Sequence, residues 1–118
     1  MAILPYSLRS LYWLADTKET LSGFPAEIKT CFGHGLYLVQ IGLTPPIAKP
    51  MTGLGAGVFE LSEQCDGDAF RVVYALKLGT CVYVIDAFIK KSKTGSKTPK
   101  EVIERIRARI KWVREQNG

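Results

Sequence analysis

Apolar residues recur along this chain in two rhythms, and each rhythm predicts a different kind of element. Phe24, Ile28, Phe32, Leu36, Val39 and Leu43 fall three or four apart, the spacing of one buried helical face. Pro25 suits the first turn of that helix, where its missing N–H has no partner to lose. Gly33 and Gly35 inside it each cost about 1 kcal/mol of helix propensity, so packing must hold it. A shorter helix is predicted before it from the starter residues Asp16 and Thr17, and residues 10–14, SLYWL, read as a short strand.

Further along, the period becomes two. In Ala69–Leu78 the side chains of Phe70, Val72, Tyr74 and Leu76 share one face and leave Arg71, Val73, Ala75 and Lys77 on the other. Strands are also predicted over Val58–Ser62 and Cys81–Ile89, the latter apolar on both sides apart from Asp86, as a central strand is. Asp66-Gly67 suits a hairpin, and Gly79-Thr80 supplies the next turn. The helical rhythm returns in Val102, Ile103, Ile106, Ile110 and Val113. Ahead of it, Thr98-Pro99-Lys100-Glu101 reads as a capping box with proline at the first helical position. That helix should reach about Glu115 and show Arg105, Arg107, Arg109, Lys111 and Arg114 on its outer face. The predicted order is β-α-α-β-β-β-α, an α+β domain with an antiparallel meander and two helices lying on it.

Composition narrows the class. With 118 residues, 47% hydrophobic and 23% charged, the chain is sized for one globular domain over 1–118, with residues 1–9 left open between an ordered segment and a flexible terminal tail. No apolar run approaches the roughly 18 residues of a membrane span, and no signal-peptide order opens the chain, so the expectation is a cytoplasmic protein. Cys31, Cys65 and Cys81 are odd in number and lack a CxxC pair. They are expected as buried free thiols and not as a disulfide or zinc framework. The net charge of +5 divides unevenly. Residues 1–70 carry four bases and seven acids, net −3, and residues 71–118 carry twelve bases and four acids, net +8. A basic half beside an acidic half points to an oriented contact with a polyanion.

Candidate chemistry follows the same division. The single histidine, His34, lies in a predicted helix away from any reactive Ser or Cys, which sets nucleophilic triads aside. The segment GLGAG has neither the GK[ST] ending nor a following helix of a phosphate loop. The basic constellation is stronger. Arg71 lies on the strand next to the one that delivers Lys90, Lys91, Lys93 and Lys97, and neighbouring strands are about 4.8 Å apart. A guanidinium grips phosphate and stays charged. Crowded lysines lower one another's pKa, so one of them suits proton transfer near neutrality.

The stretches GLGAGVFEL and GDAFRVVYALKLGTCVYVIDAFIKKSKTGSKTPKEVIERIRARI, with the FPxEIKxxFGxxLYLxQ helix and the AKP loop before them, resemble the HigB-like branch of the RelE superfamily of bacterial and phage toxins over about residues 24–115. The resemblance implies a RelE-like fold in which two N-terminal helices pack on a four-stranded antiparallel sheet, followed by a basic C-terminal helix. It also implies the toxin of a type II toxin–antitoxin system: a ribosome-dependent mRNA endoribonuclease that needs no metal or other cofactor. Its partners would be a helix-turn-helix antitoxin and the ribosome with its mRNA. By position, Arg71 would clamp the phosphate, and Lys90 or Lys91 would serve as base, acid or further clamp. Glu60 would orient a base or pair with Arg71, and Tyr74 is expected in the core. Lys93 and Lys97 would hold RNA backbone, with Lys77, Arg105 and Arg109 completing the RNA-contacting set. The alternative is a non-catalytic member of the fold that binds RNA or a partner. This chain departs from the family pattern at Ser62 in place of Arg, Asp86 in place of His and Ile89 in place of Gln.

Overall fold

The Asp66-Gly67 turn folds the chain back as its residue types dictate. Both residues have positive φ, 52° and 84°, the backbone of a two-residue turn whose twist matches the strands it joins. It links β3 (Val58–Cys65) to β4 (Asp68–Lys77), antiparallel from Cys65↔Asp68 back to Val58↔Ala75. Next to β4 and antiparallel to it runs β5 (Cys81–Lys90). The computed structural model describes residues 8–77, 81–91 and 98–116, so the predicted Gly79-Thr80 turn lies outside the described residues.

The predicted first strand joins this sheet, and one strand beyond those predicted extends it. β1 (Ser10–Trp13) pairs with β5 in parallel, from Ser10↔Cys81 to Trp13↔Val84. β2 (Ala48–Pro50) lies antiparallel to β3 within the stretch read as a loop. The sheet is therefore mixed, with five strands in the order β1-β5-β4-β3-β2, where the sequence reading expects four antiparallel strands. Three residues ending in proline carry no legible alternation, and an edge strand is where such a segment is tolerated.

Helices cover both faces. α1 (Thr17–Ser22) and α2 (Ala26–Gln40) lie on one side, where Leu21, Phe24, Ile28, Phe32, Leu36 and Val39 meet Phe70, Val72, Tyr74, Val82 and Val84. Leu43, expected on this stripe, falls past the end of α2 and is exposed. A 15-residue helix is about 22 Å long, close to the roughly 19 Å across five strands, so α2 is long enough to carry the chain from the β1 edge to the β2 edge. Gly35 permits the close approach of α2 to β3, since a Cβ there would meet Leu61 Cδ1 at 3.1 Å.

α3 (Lys100–Gln116) covers the other face, burying Val102, Ile106, Ile110 and Val113 against Val58, Val73, Ala75, Ile85 and Phe88. Its first helical residue is Lys100, one later than predicted. The Pro99 carbonyl accepts the N–H groups of Val102 and Ile103 at 3.1 Å. The reciprocal Thr98–Glu101 bonds of a capping box are absent among the described residues. Arg9 is tied to the end of α2: its N–H donates to the Gln40 carbonyl at 2.9 Å and its own carbonyl accepts Gln40 Nε2 at 2.8 Å. No described helix is long and apolar enough to cross a membrane.

Candidate functional site

A slip in register decides which side chains meet. Val73 pairs with Asp86 but Tyr74 pairs with Val84, leaving Ile85 as an extra residue on β5. Such a bulge turns successive side chains to one side of the sheet. Ile85 packs in the core beneath α3, and Asp86 is bonded by two arginines of α3. Past the bulge the parity of β5 is reversed. Strict alternation from Val82 and Val84 would put Lys90 beneath α2. Instead it sits opposite Ala69, on the side of the sheet that carries Arg71.

That face brings together an acid, a guanidinium and an amine from three adjacent strands. Arg71 stands in register between Ser62 on β3 and Phe88 on β5, and Glu60 lies two pairs further along on the same face, opposite Val73. Arg71 Nη1 donates to both Glu60 oxygens, at 3.2 and 3.3 Å. The two side chains are 18% and 14% exposed, sheltered from bulk water but within reach of it. Arg71 Nε is buried and has no acceptor among the described residues, a costly state for a donor. Lys90 is 4% exposed. Burial, and then the neighbouring Arg71 charge, push its pKa below the ordinary lysine value, with Glu60 acting in the opposite direction. Among the described residues Lys90 has no ion-pair partner. The cluster thus offers a cation with unspent donors, an amine that releases its proton more readily than usual, and a carboxylate.

Other predicted site residues separate from this group. Lys91 is directed to the β3–β4 hairpin, where its Nζ meets Asp68 Oδ2 at 3.1 Å, so the two lysines of the KK pair do different things. Tyr74 is buried on the α2 side, stacked on Phe59 at 5.5 Å, and burial pushes its pKa up to about 12. It is core. Lys93 and Lys97 lie outside the described residues, as does the Lys77 side chain.

Arg105 and Arg109 are not simply outward-facing. Arg105 grips Asp86 with two bonds, Nε to Oδ2 at 2.6 Å and Nη2 to Oδ1 at 3.0 Å. Arg109 Nη1 donates to the Ile85 carbonyl at 2.9 Å and lies 3.5 Å from Asp86 Oδ2. The Asp86 side chain is 3% exposed, Arg109 20% and Arg105 42%. Arg109 is committed to holding α3 on β5, and only Arg105 keeps a large accessible surface. This pairing has no signal in sequence, because the bulge that aims Asp86 at α3 leaves no mark in a strand apolar on both sides.

The GLGAG segment has a structural account. Arg114 Nη2 donates to the Leu54 carbonyl at 2.9 Å, and a Cβ on Gly55 would collide with that same guanidinium. Gly55 also has φ +93°, a backbone that only glycine adopts without strain. Between this loop and α3 runs a groove of about 590 Å³, away from the Glu60–Arg71–Lys90 group. The cysteines are free and half-buried. Cys65 donates to Glu27 at 3.0 Å, which pushes its pKa up to about 11, and burial raises those of Cys31 and Cys81. None is poised as a thiolate. Among the described residues no three His, Cys, Asp or Glu side chains gather as metal ligands.

One group escaped the sequence reading altogether. Tyr12 of β1 lies 5.5 Å from Tyr83 and 6.2 Å from Trp112 of α3, ring centre to ring centre. The legible signal was a tryptophan at position 112, off the buried stripe of a basic helix.

Compared with known proteins, residues 19–111 match the sequence model of a family described as phage derived protein Gp49-like (DUF891). No curated protein and no solved structure matches the chain.

Proposed function

The chain belongs to the phage-derived Gp49-like family, and on that premise we propose that it is the toxin of a type II toxin–antitoxin system and acts as a ribosome-dependent mRNA endoribonuclease. This family is associated with toxin–antitoxin toxins. The HigB-like sequence pattern narrows that association to RNA cleavage in the cytoplasm, with a helix-turn-helix antitoxin as partner. The observation that carries the reading is the placement of Arg71, Lys90 and Glu60 on one face of adjacent strands, with the Lys90 pKa lowered.

The reaction proposed for this group is transesterification at a phosphodiester. Phosphate entering beside Arg71 takes up the donors not used by Glu60, including Nε. Glu60 accepts the proton of the ribose 2′-hydroxyl, and the 2′-oxygen forms a bond to phosphorus. Arg71 holds the oxygens of the phosphorane as negative charge builds on them. Lys90, protonated at the start, gives its proton to the departing 5′-oxygen as the P–O5′ bond breaks. The products are a 2′,3′-cyclic phosphate end and a 5′-hydroxyl end, and Glu60 and Lys90 recover their starting protonation from water.

A second reading is favoured by one observation. The position where the HigB-like pattern has a histidine is Asp86, and its carboxylate is locked into α3 by Arg105. A member of the fold that binds ribosomes or RNA without cutting would need no proton-transfer group there. Primer extension on mRNA from cells induced for the chain, and on mRNA translated in a purified system, separates the two. Wild type should produce ribosome-dependent cuts, reduced about 10²-fold or more in Arg71→Ala, the scale of losing one charge-stabilising donor. Ribosome binding without cuts by the wild type would establish the second reading and overturn the first.

A further inference from the structure

The basic residues of α3 divide into two flanks that meet different surroundings. Arg105 and Arg109 turn toward β5, where Asp86 and Asp16 supply their ion-pair partners. Arg107, Lys111 and Arg114 fall on the opposite flank at 3.6 residues per turn, and they line the groove of about 590 Å³ beside Gly53 and Gly55. Arg107 and Lys111 are exposed and have no ion-pair partner among the described residues. Arg114 spends Nη2 on the Leu54 carbonyl, which fixes its guanidinium at the groove before a ligand arrives. The acid of the lining is Glu115, and among the described residues it pairs with none of the three cations.

We infer that this groove holds the phosphate backbone of single-stranded RNA away from the bond to be cut, an added binding site that rests on the proposed function. The three cations span about 10 Å of α3, seven residues at roughly 1.5 Å each. A polymer with a charge on every unit meets such a line whatever its sequence, whereas a peptide meets it only if its acids fall at that spacing. Buried Leu54 and Ile110 add apolar surface for sugar and base edges. The loop wall is open too: a Cβ on Gly53 would meet nothing within 4 Å, and the N–H groups of Gly53 and Gly55 make no bond among the described residues. Backbone donors of that kind build anion sites in loops. A hollow of about 390 Å³ shares Ile110 and Arg114 with the groove and reaches Val58 and Ala75 on the sheet. Ala75 is four residues from Arg71 on β4, about 13 Å, and alternation puts both on the side that α3 covers. One strand of RNA held by the Arg71 group therefore has a cationic path to follow.

The test is binding, read separately from cleavage. An uncleavable 2′-O-methyl oligouridylate would be titrated against the whole chain and followed by amide NMR and fluorescence anisotropy. A neutral-backbone peptide nucleic acid of the same sequence and a polyglutamate of the same length would run beside it. The oligouridylate should shift the Gly53 and Gly55 amides, and the neutral oligomer should leave them in place. Replacing Arg107 and Lys111 together by Ala should weaken the oligouridylate about 25-fold at 0.1 M salt, two phosphate contacts at roughly 0.7 decade each per decade of salt below 1 M. The same variant should lose the glycine shifts, with its circular dichroism unchanged because both side chains are exposed. Binding that leaves both glycine amides unmoved, or unchanged affinity in the folded double variant, overturns the inference. So does polyglutamate that moves those amides at lower concentration than the oligouridylate, which gives the groove to an acidic protein segment. Arg71→Ala separates the two ideas: it should abolish cuts and keep the glycine shifts. Wild type that shows the shifts and never cuts would overturn the nuclease reading alone.

Discussion

A lysine amine enclosed beside a guanidinium is held where its charge is least welcome, and that determines how Lys90 responds to pH. Its folded-state pKa is lowered, by burial first and by Arg71 second. Below that folded value the amine is protonated in both the folded and unfolded chain, and its enclosure costs stability. Between the folded value and the ordinary lysine value of 10.5, only the unfolded chain keeps the proton. Stability therefore rises with pH across that window. Lys90→Met should remove this rise, so urea melts at stepped pH should show the wild type gaining on the variant as pH climbs toward 10.5. In the proposed reaction the sign is reversed, since Lys90 must start protonated and cleavage should fall on the same alkaline side. Arg71→Lys preserves one cation and should leave that fall in place, whereas a flat stability difference would show that Lys90 is not enclosed. The pairing of Lys90 with Arg71 was legible in sequence as a neighbourhood of two strands. Which lysine of the pair would turn inward was not, because it depends on the bulge at Ile85.

At the level of elements, the features that could be read were those whose signals are local. The Asp66-Gly67 turn, the alternation of β4 and the apolar stripe of α3 each sit within one segment, and each was found where its pattern put it. β2 escaped because three residues ending in proline carry no alternation of their own, and the parallel pairing of β1 escaped because its partner lies far along the chain, with Trp13 facing Val84. The connection between α3 and β5 belongs to this second kind. Asp86 looked like a lost histidine, yet it is the anchor for two arginines from a helix some twenty residues away. Removing its carboxylate leaves Arg105 without the acceptor of both its bonds and Arg109 without one of its ion-pair partners. Breaking a buried pair costs about 3–5 kcal/mol, and the 42% exposure of Arg105 reduces that here. Asp86→Ala is expected to lower stability by about 2–3 kcal/mol in equilibrium urea unfolding. Asp86→His, which restores the family's residue, should also be destabilised, since a histidine cannot accept from both arginines. A neutral result for Asp86→Ala would mean that α3 is held by its apolar stripe alone.

For the whole molecule, the two sides of the sheet differ in charge as well as in covering. The excess of bases in residues 71–118 is largely presented on the α3 side, with Arg71 and Lys90 on the sheet and Arg105, Arg107 and Lys111 on the helix. The α1–α2 side carries Glu19 and Glu27 along with Lys18 and Lys29 and has no comparable excess. A polyanion should therefore approach from the α3 side, and the strength of that approach should depend on salt through the phosphates it engages. Arg107 and Lys111 are exposed and have no ion-pair partner among the described residues, so they are the α3 cations most free to meet phosphate. Replacing both by Ala should weaken single-stranded RNA binding at low salt. The slope of log affinity against log salt should fall by about 1.4, two contacts at roughly 0.7 each. Replacing Lys18 and Lys29 removes the same formal charge from the opposite side and should leave the slope where it was. Equal effects from the two pairs would mean that RNA responds only to net charge, and the orientation argued from the α3 face would fail.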